Sequence, residues 1–174
     1  MTPDFSQIIP VGDDKLRRVC NTCGFIDYVN PKIVTGAVIT KNDQILLCKR
    51  AIEPRAGFWT LPAGFMEEGE SAEEGAMRET LEEANATIEI DRLLAVYSVP
   101  RISQVQIMYR AKLVSDFSPG PESQDVALLD WKDIPWRNLA FPTVVWALTH
   151  YAKTRSLENF APFSNPSGTE VLTR

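Results

Sequence analysis

Glu79, Glu82 and Glu83 crowd into the segment RETLEEAN, residues 78–85. On a helix the pairs 79/82 and 79/83 share one face, where like charges repel. With about 100° of turn per residue, Glu83 lies roughly 40° from Glu79, and Glu82 roughly 60° to the other side. Three carboxylates can therefore converge beside such a helix. The plain alternative is a solvated acidic face, the usual fate of a charge run. Two features oppose it. The charges sit toward the helix C-terminus, the unfavourable end of the macrodipole, and almost no lysine is interleaved to form i,i+4 pairs. Clustered hard oxygen donors suit Mg²⁺ or Mn²⁺ rather than zinc. Magnesium commonly joins a few carboxylates to substrate phosphates, so the chemistry suggested is capture of a phosphate-bearing substrate through metal.

The acidity is local. The 174-residue chain has a net charge of -5. Residues 64–86 hold eight Glu and one Arg, a net of -7, so the remainder is slightly basic. An overall acidic chain disfavours nonspecific nucleic-acid binding. A content of 44% hydrophobic and 24% charged residues is that of a folded domain, not a disordered chain. No apolar run reaches the roughly 18 residues of a membrane span, and MTPDFSQIIPVGDD lacks the basic and apolar regions of a signal peptide. Three cysteines, an odd number, fit a reducing cytoplasm better than a disulfide scaffold.

The elements that must position the carboxylates follow from local signals. Ser71 with Glu74 three residues on is a capping box, 72–84 is rich in helix formers, and Asn85 suits a left-handed C′ position. IVTGAVIT (33–40) and QILLCKR (44–50) flank a turn at Lys41-Asn42-Asp43 and predict a hairpin. Residues 51–65 carry Pro and Gly and read as loop with at most a short strand. Strands are expected over 87–99, 104–114 and 126–131, and an amphipathic helix over 144–153. The first 30 residues read as polar and irregular, and the tail after about Phe160 as loosely held. The order implies a mixed sheet with helices packed on it.

GFMEEGESAEEGAMRETLEEANA (64–86) resembles the Nudix box, a glycine, five residues, Glu, seven residues, Arg-Glu, then Glu-Glu two residues on. Gly64, Glu70, Arg78, Glu79, Glu82 and Glu83 fall on its positions. Thr80 replaces the usual large aliphatic and Asn85 the usual Gly, and neither change removes a carboxylate. NPKIVTGAVI (30–39), LLCKRAIEPRAGFWTLPAGF (46–65), PGPES (119–123) and IPWRNLAF (134–141) resemble one branch of that family, which includes plant FAD pyrophosphohydrolases. The resemblance implies an α/β fold, the Nudix α/β/α sandwich with a mixed central sheet. It implies an N-terminal segment (1–30), a hydrolase domain (31–155) and a tail (156–174). It also implies Mg²⁺-dependent hydrolysis of the diphosphate bond in FAD, ADP-ribose or NADH, in a cytoplasmic homodimer. A nucleoside-triphosphate sanitising enzyme and a non-catalytic binding module with the same fold are the alternatives.

Under that resemblance Glu79, Glu82 and Glu83 would hold the metal, with the Gly64 carbonyl as a further ligand, and Glu70 and Arg78 would form a structural ion pair. The general base is left open among Glu82, Glu83 and Glu122, with Asp125 also near the expected strand. Arg50, Arg55 and Arg101 have the planar donor geometry that suits phosphates, and Phe58, Trp59, Tyr97 and Tyr109 could stack on a planar ring. Each has a bland reading as surface or core. His150, on the apolar helix, reads as structural. CNTCG (20–24) resembles one knuckle of a zinc ribbon, which needs four ligands. No second pair lies upstream, so no structural zinc is expected.

Overall fold

The computed structural model describes residues 4–169 and divides at Pro31/Lys32 into two units. The first unit is a three-stranded antiparallel sheet of β1 (Phe5–Ile8), β2 (Arg17–Cys20) and β3 (Ile26–Asp27), not the irregular segment its polarity suggests. Short strands of mixed polarity leave no periodic signal. Pairing across the turns, Phe5 with Cys20 and Val19 with Ile26, is what defines them. The Cys20–Gly24 turn closes through Gly24 N–H to Cys20 O, 2.9 Å, with Gly24 at φ +77°. Backbone N–H groups of Cys23 and Thr22 lower the Cys20 thiol pKa.

The second unit contains a seven-stranded mixed sheet. Its strands are β4 (Lys32–Lys41), β5 (Gln44–Arg50), β6 (Trp59–Thr60), β7 (Ala63–Phe65), β8 (Ile88–Val99), β9 (Gln104–Leu113) and β10 (Ser123–Leu129). The main path runs β10-β5-β4-β9-β8, with β6 on β5 and β7 on β4. β4 and β9 are parallel and the other pairs antiparallel. The β4–β5 turn places Asn42 and Asp43 at φ +51° and +64°, the pattern of a tight I′ hairpin.

Side chains alternate across the sheet, and each face receives one helix. Val38, Ile45, Leu47 and Leu94 pack with Val144, Trp146 and Leu148 of α2 (Pro142–Thr154). Ala37, Ile39, Leu46 and Cys48 pack with Ala76 and Ala84 of α1 (Ala72–Ala84). Ile45–Cys48 of the interior strand β5 are apolar without a break because both faces of the strand are covered.

Through Asn165 the tail is held in place, and residues 170–174 lie outside the described residues. β8 is an edge strand, and residues after α2 cover part of it. Val96 N–H donates to Phe163 O and Phe163 N–H to Leu94 O, both 2.9 Å. Asn165 exchanges side-chain hydrogen bonds with the Ser98 backbone. Phe163 stacks on His150 at 4.1 Å. An edge strand gains from such cover because its unpaired backbone groups otherwise invite another strand. Composition gave no hint of this, because backbone pairing does the holding.

Candidate active site

The site grows from the ends of α1. At its start, Ser71 Oγ accepts from Glu74 N–H at 3.2 Å and Glu74 Oε2 accepts from Ser71 N–H at 2.7 Å, a complete capping box. At its end Asn85 is left-handed, φ +46° and ψ +39°, and donates to Leu81 O. The last carbonyls also need donors. Ser118 N–H reaches Ala84 O at 2.9 Å and Gly120 N–H reaches Glu83 O at 3.0 Å. A Cβ on Gly120 would lie 1.7 Å from Glu82 O. Only glycine lets this loop close on the helix, which brings Glu122 to the carboxylates. The Pro-Gly-Pro signature marks a loop, but nothing in the sequence tells which helix end it caps.

Arg78 binds the box together. Its Nε and Nη2 each donate to a Glu70 oxygen at 3.0 Å, and Nη2 also reaches Phe65 O at 2.9 Å. This bidentate pair ties the loop before α1 to the helix. Arg78 Nη1 donates to Glu79 Oε1 at 2.8 Å and Glu82 Oε2 at 3.2 Å. With Arg78 drawing these two carboxylates, no three acidic, His or Cys side chains close around one point among the described residues.

Glu79 and Glu83 are nevertheless placed where a cation would serve. Glu79 is 9% exposed and Glu83 6%. Glu83 Oε2 is buried without a hydrogen-bond partner among the described residues, a costly state for an ionised oxygen. Burial, reinforced by the Glu79 charge and offset by Arg50, pushes Glu83 up to about 8. Burial also raises Glu79, against the pull of Arg78. The Glu79 carboxylate occupies the space a side chain on Gly64 would need, 2.3 Å from that missing Cβ. The helix thus reaches the β7 backbone only because residue 64 is Gly. An all-oxygen donor set, one orphaned buried carboxylate oxygen and two acids of raised pKa fit a hard divalent cation.

Of the loop acids, Glu122 acts electrostatically on both Glu79 and Glu83. Its carbonyl is fixed by Ala51 N–H at 2.7 Å. Asp125 instead accepts from Val126 N–H through its own Oδ1. Arg50 lies near Glu83, with Nε donating to Pro54 O at 2.9 Å. Arg55 is exposed on the following loop. Arg101 is exposed in a 3₁₀ turn after β8 and makes no ion pair or side-chain hydrogen bond among the described residues.

Tyr97 does not belong to the site. It is fully buried on the α2 side of the sheet, where its hydroxyl bonds His150 Nδ1 at 2.8 Å and its ring meets Trp146 edge-on. A strand residue's face is set by register, and Tyr97 points away from α1. Tyr109, 5% exposed, packs in the core beneath α1 and offers no open ring face. Phe58 and Trp59 are half-buried.

A family model described as the NUDIX domain matches residues 30–147. An ADP-ribose pyrophosphatase from Methanocaldococcus jannaschii is 32% identical over 119 residues, 66% of this chain and 69% of that protein. An NAD-capped RNA hydrolase, NudC, from Photorhabdus laumondii is 30% identical over 118 residues, 65% of this chain, and the match spans 43% of that longer protein. Among solved structures, a Nudix hydrolase from Nitrosomonas europaea superposes with a TM-score of 0.87 at 46% identity, covering 94% of each chain. Box geometry, sheet topology and these likenesses agree, and the chain belongs to the Nudix hydrolase family.

Proposed function

We propose that this protein hydrolyses the diphosphate bond of a nucleoside diphosphate joined to a second group, of the FAD, ADP-ribose or NADH class, giving two monophosphates. The observation that carries the reading is the buried, unpartnered Glu83 oxygen beside Glu79. Glu79, Glu82, Glu83 and the Gly64 carbonyl would hold Mg²⁺, or Mn²⁺ in its place. When bound, the ion would offset the diphosphate charge and acidify a water.

The chain's own groups would do the rest. Glu122 is exposed, acts on both buried glutamates and is free of Arg78, so it is suited to take the proton of the attacking water. Glu82, which Arg78 holds, is less available for that role. Arg50 uses only Nε on the protein among the described residues. Its terminal nitrogens can therefore donate to a phosphate oxygen. Arg78 keeps α1 fixed against the loop that starts the box. The name of the M. jannaschii relative, an ADP-ribose pyrophosphatase, supports a diphosphate-bridged substrate.

The test is chromatographic product analysis of FAD, ADP-ribose, NADH and dGTP with Mg²⁺. Two monophosphates from at least one diphosphate-bridged compound are expected. Pyrophosphate released from dGTP alone would assign a triphosphate substrate instead, and no turnover of any would remove the enzymatic reading.

A further inference from the structure

We infer that Cys20 and Cys23 form a redox-active pair, which closes to a disulfide with a low-molecular-weight disulfide of the glutathione type as the oxidant. The inference does not rest on the hydrolytic reading above. Both residues belong to the tight turn that joins β2 to β3. Cys20 N–H donates to Phe25 O at 2.8 Å, and Gly24 N–H donates to Cys20 O at 2.9 Å. Asp4, just before β1, steadies the turn. Its carbonyl accepts from Asn21 N–H and its carboxylate from Asn21 Nδ2, both at 2.9 Å.

Three observations carry the inference. First, the two sulfurs meet. Cys20 Sγ accepts from the backbone N–H groups of Cys23 and Thr22 and from the Cys23 thiol itself. These donors favour the Cys20 thiolate and outweigh its burial, which acts the other way. Second, access is divided. Cys23 is exposed and Cys20 is 8% exposed, so an external disulfide meets Cys23 while Cys20 is left to face its neighbour. Third, no other group competes. Cys48, in the second unit, is 1% exposed, and burial pushes its thiol far up. Among the described residues no third acidic, His or Cys side chain joins the pair, and two sulfurs fill only half of a tetrahedral zinc site. The step balances as an exchange. The Cys23 thiolate attacks one sulfur of the oxidant, whose S–S bond breaks and releases one thiolate. The Cys20 thiolate then attacks the Cys23 sulfur, forms the Cys20–Cys23 bond and releases the second thiolate. The two protons of the cysteines end on the two released thiols. The protein pair is oxidised by two electrons and the external disulfide is reduced. Closure outruns a second external attack because both thiols share one turn.

The experiment treats the reduced full chain with glutathione at graded ratios of oxidised to reduced form, traps free thiols with iodoacetamide, and reads intact and peptide masses. Cys20 and Cys23 share the tryptic peptide 19–32, and Cys48 lies in 42–49. The expected product has lost one hydrogen from each of Cys20 and Cys23, carries no glutathione, and holds its new bond within 19–32. Cys48 should be alkylated only once the chain is unfolded. Cys20→Ser should stop at a glutathione adduct on Cys23. Cys23→Ser should form its adduct about tenfold more slowly, because Cys20 is nearly buried. Thiols that stay free at every ratio overturn the inference, as does a glutathione adduct that persists on Cys23 of the unaltered chain. A disulfide between two chains, or one that includes Cys48, overturns it too. Equal adduct rates in the two variants overturn the assignment of Cys23 as the first nucleophile. None of these readouts involves diphosphate turnover, so the fate of the hydrolytic reading is decided separately.

Discussion

Glu83 is the residue at which stability and activity are opposed. A buried carboxylate with an unpartnered oxygen costs free energy unless it is protonated or paired. Glu83→Gln should therefore raise the unfolding free energy of the metal-free protein by about 1–3 kcal/mol, read as a higher denaturant midpoint. It should lower kcat for the diphosphate substrate by about 10²-fold or more, the scale of removing a group that acts at the reacting centre. Denaturation and steady-state kinetics on the same preparation check both signs. A variant less stable than the parent, or equally active, would contradict the assignment. His150 gives a residue-scale pH dependence on the opposite face. Burial first, and then the Lys153 charge, lower its pKa from the ordinary 6.5. The unfolded chain then takes up the proton first as pH falls. The stability from neutral His150 is present above about pH 6.5 and lost progressively below it. Denaturant midpoints at about pH 7.5 and 5.5 should fall more for the parent than for His150→Gln, which gains no charge. Equal falls would contradict this.

At the scale of elements, the loop 118–122 matters as much as α1. Gly120→Ala would drive a methyl into the Glu82 carbonyl, so the loop or the helix end must shift. Overpacking of this kind costs about 1–3 kcal/mol. Activity should fall further than stability implies, because Glu122 moves with the loop. The comparison to make is kcat at a temperature where circular dichroism shows the variant fully folded. The C-terminal strap has a separate role. Phe163→Ala removes the stack on His150 and should cost about 2 kcal/mol with little change in kcat, as chemical denaturation and kinetics would show.

These two elements also show what a sequence reveals. The capping box, Asn85 and the β4–β5 hairpin depend on neighbours in the chain, and residue types marked them. The Gly120 cap joins positions some 35 residues apart, and the pairing of Phe163 with β8 some 67 apart. Neither leaves a local pattern. Tyr97 shows the same limit within one strand. An aromatic on β8 could face either layer, and only the register with β9, Tyr97 opposite Gln106, assigns it to the α2 side.

At the scale of the molecule, two helices on opposite faces of the β4–β10 sheet divide the labour. The α2 side holds the larger aromatic core, with Tyr97, Trp146 and Tyr151. The α1 side packs with small residues, Ala37, Ala76, Ala84 and Ala111, which let an acidic helix approach the sheet closely. Such a helix carries unfavourable charge unless something offsets it, and Arg78 does so only in part. Ligand linkage therefore adds stability when a cation binds the folded state alone, about 2.7 kcal/mol at a hundredfold excess over Kd. The most direct single measurement is AMP release from ADP-ribose, FAD and NADH as Mg²⁺ is titrated into chelator-treated protein. AMP release from at least one of them that rises from zero and saturates with Mg²⁺ is the expected result. Turnover that persists in excess chelator, or no AMP from any of the three at any Mg²⁺ concentration, would contradict a carboxylate-held cation as the centre of this site.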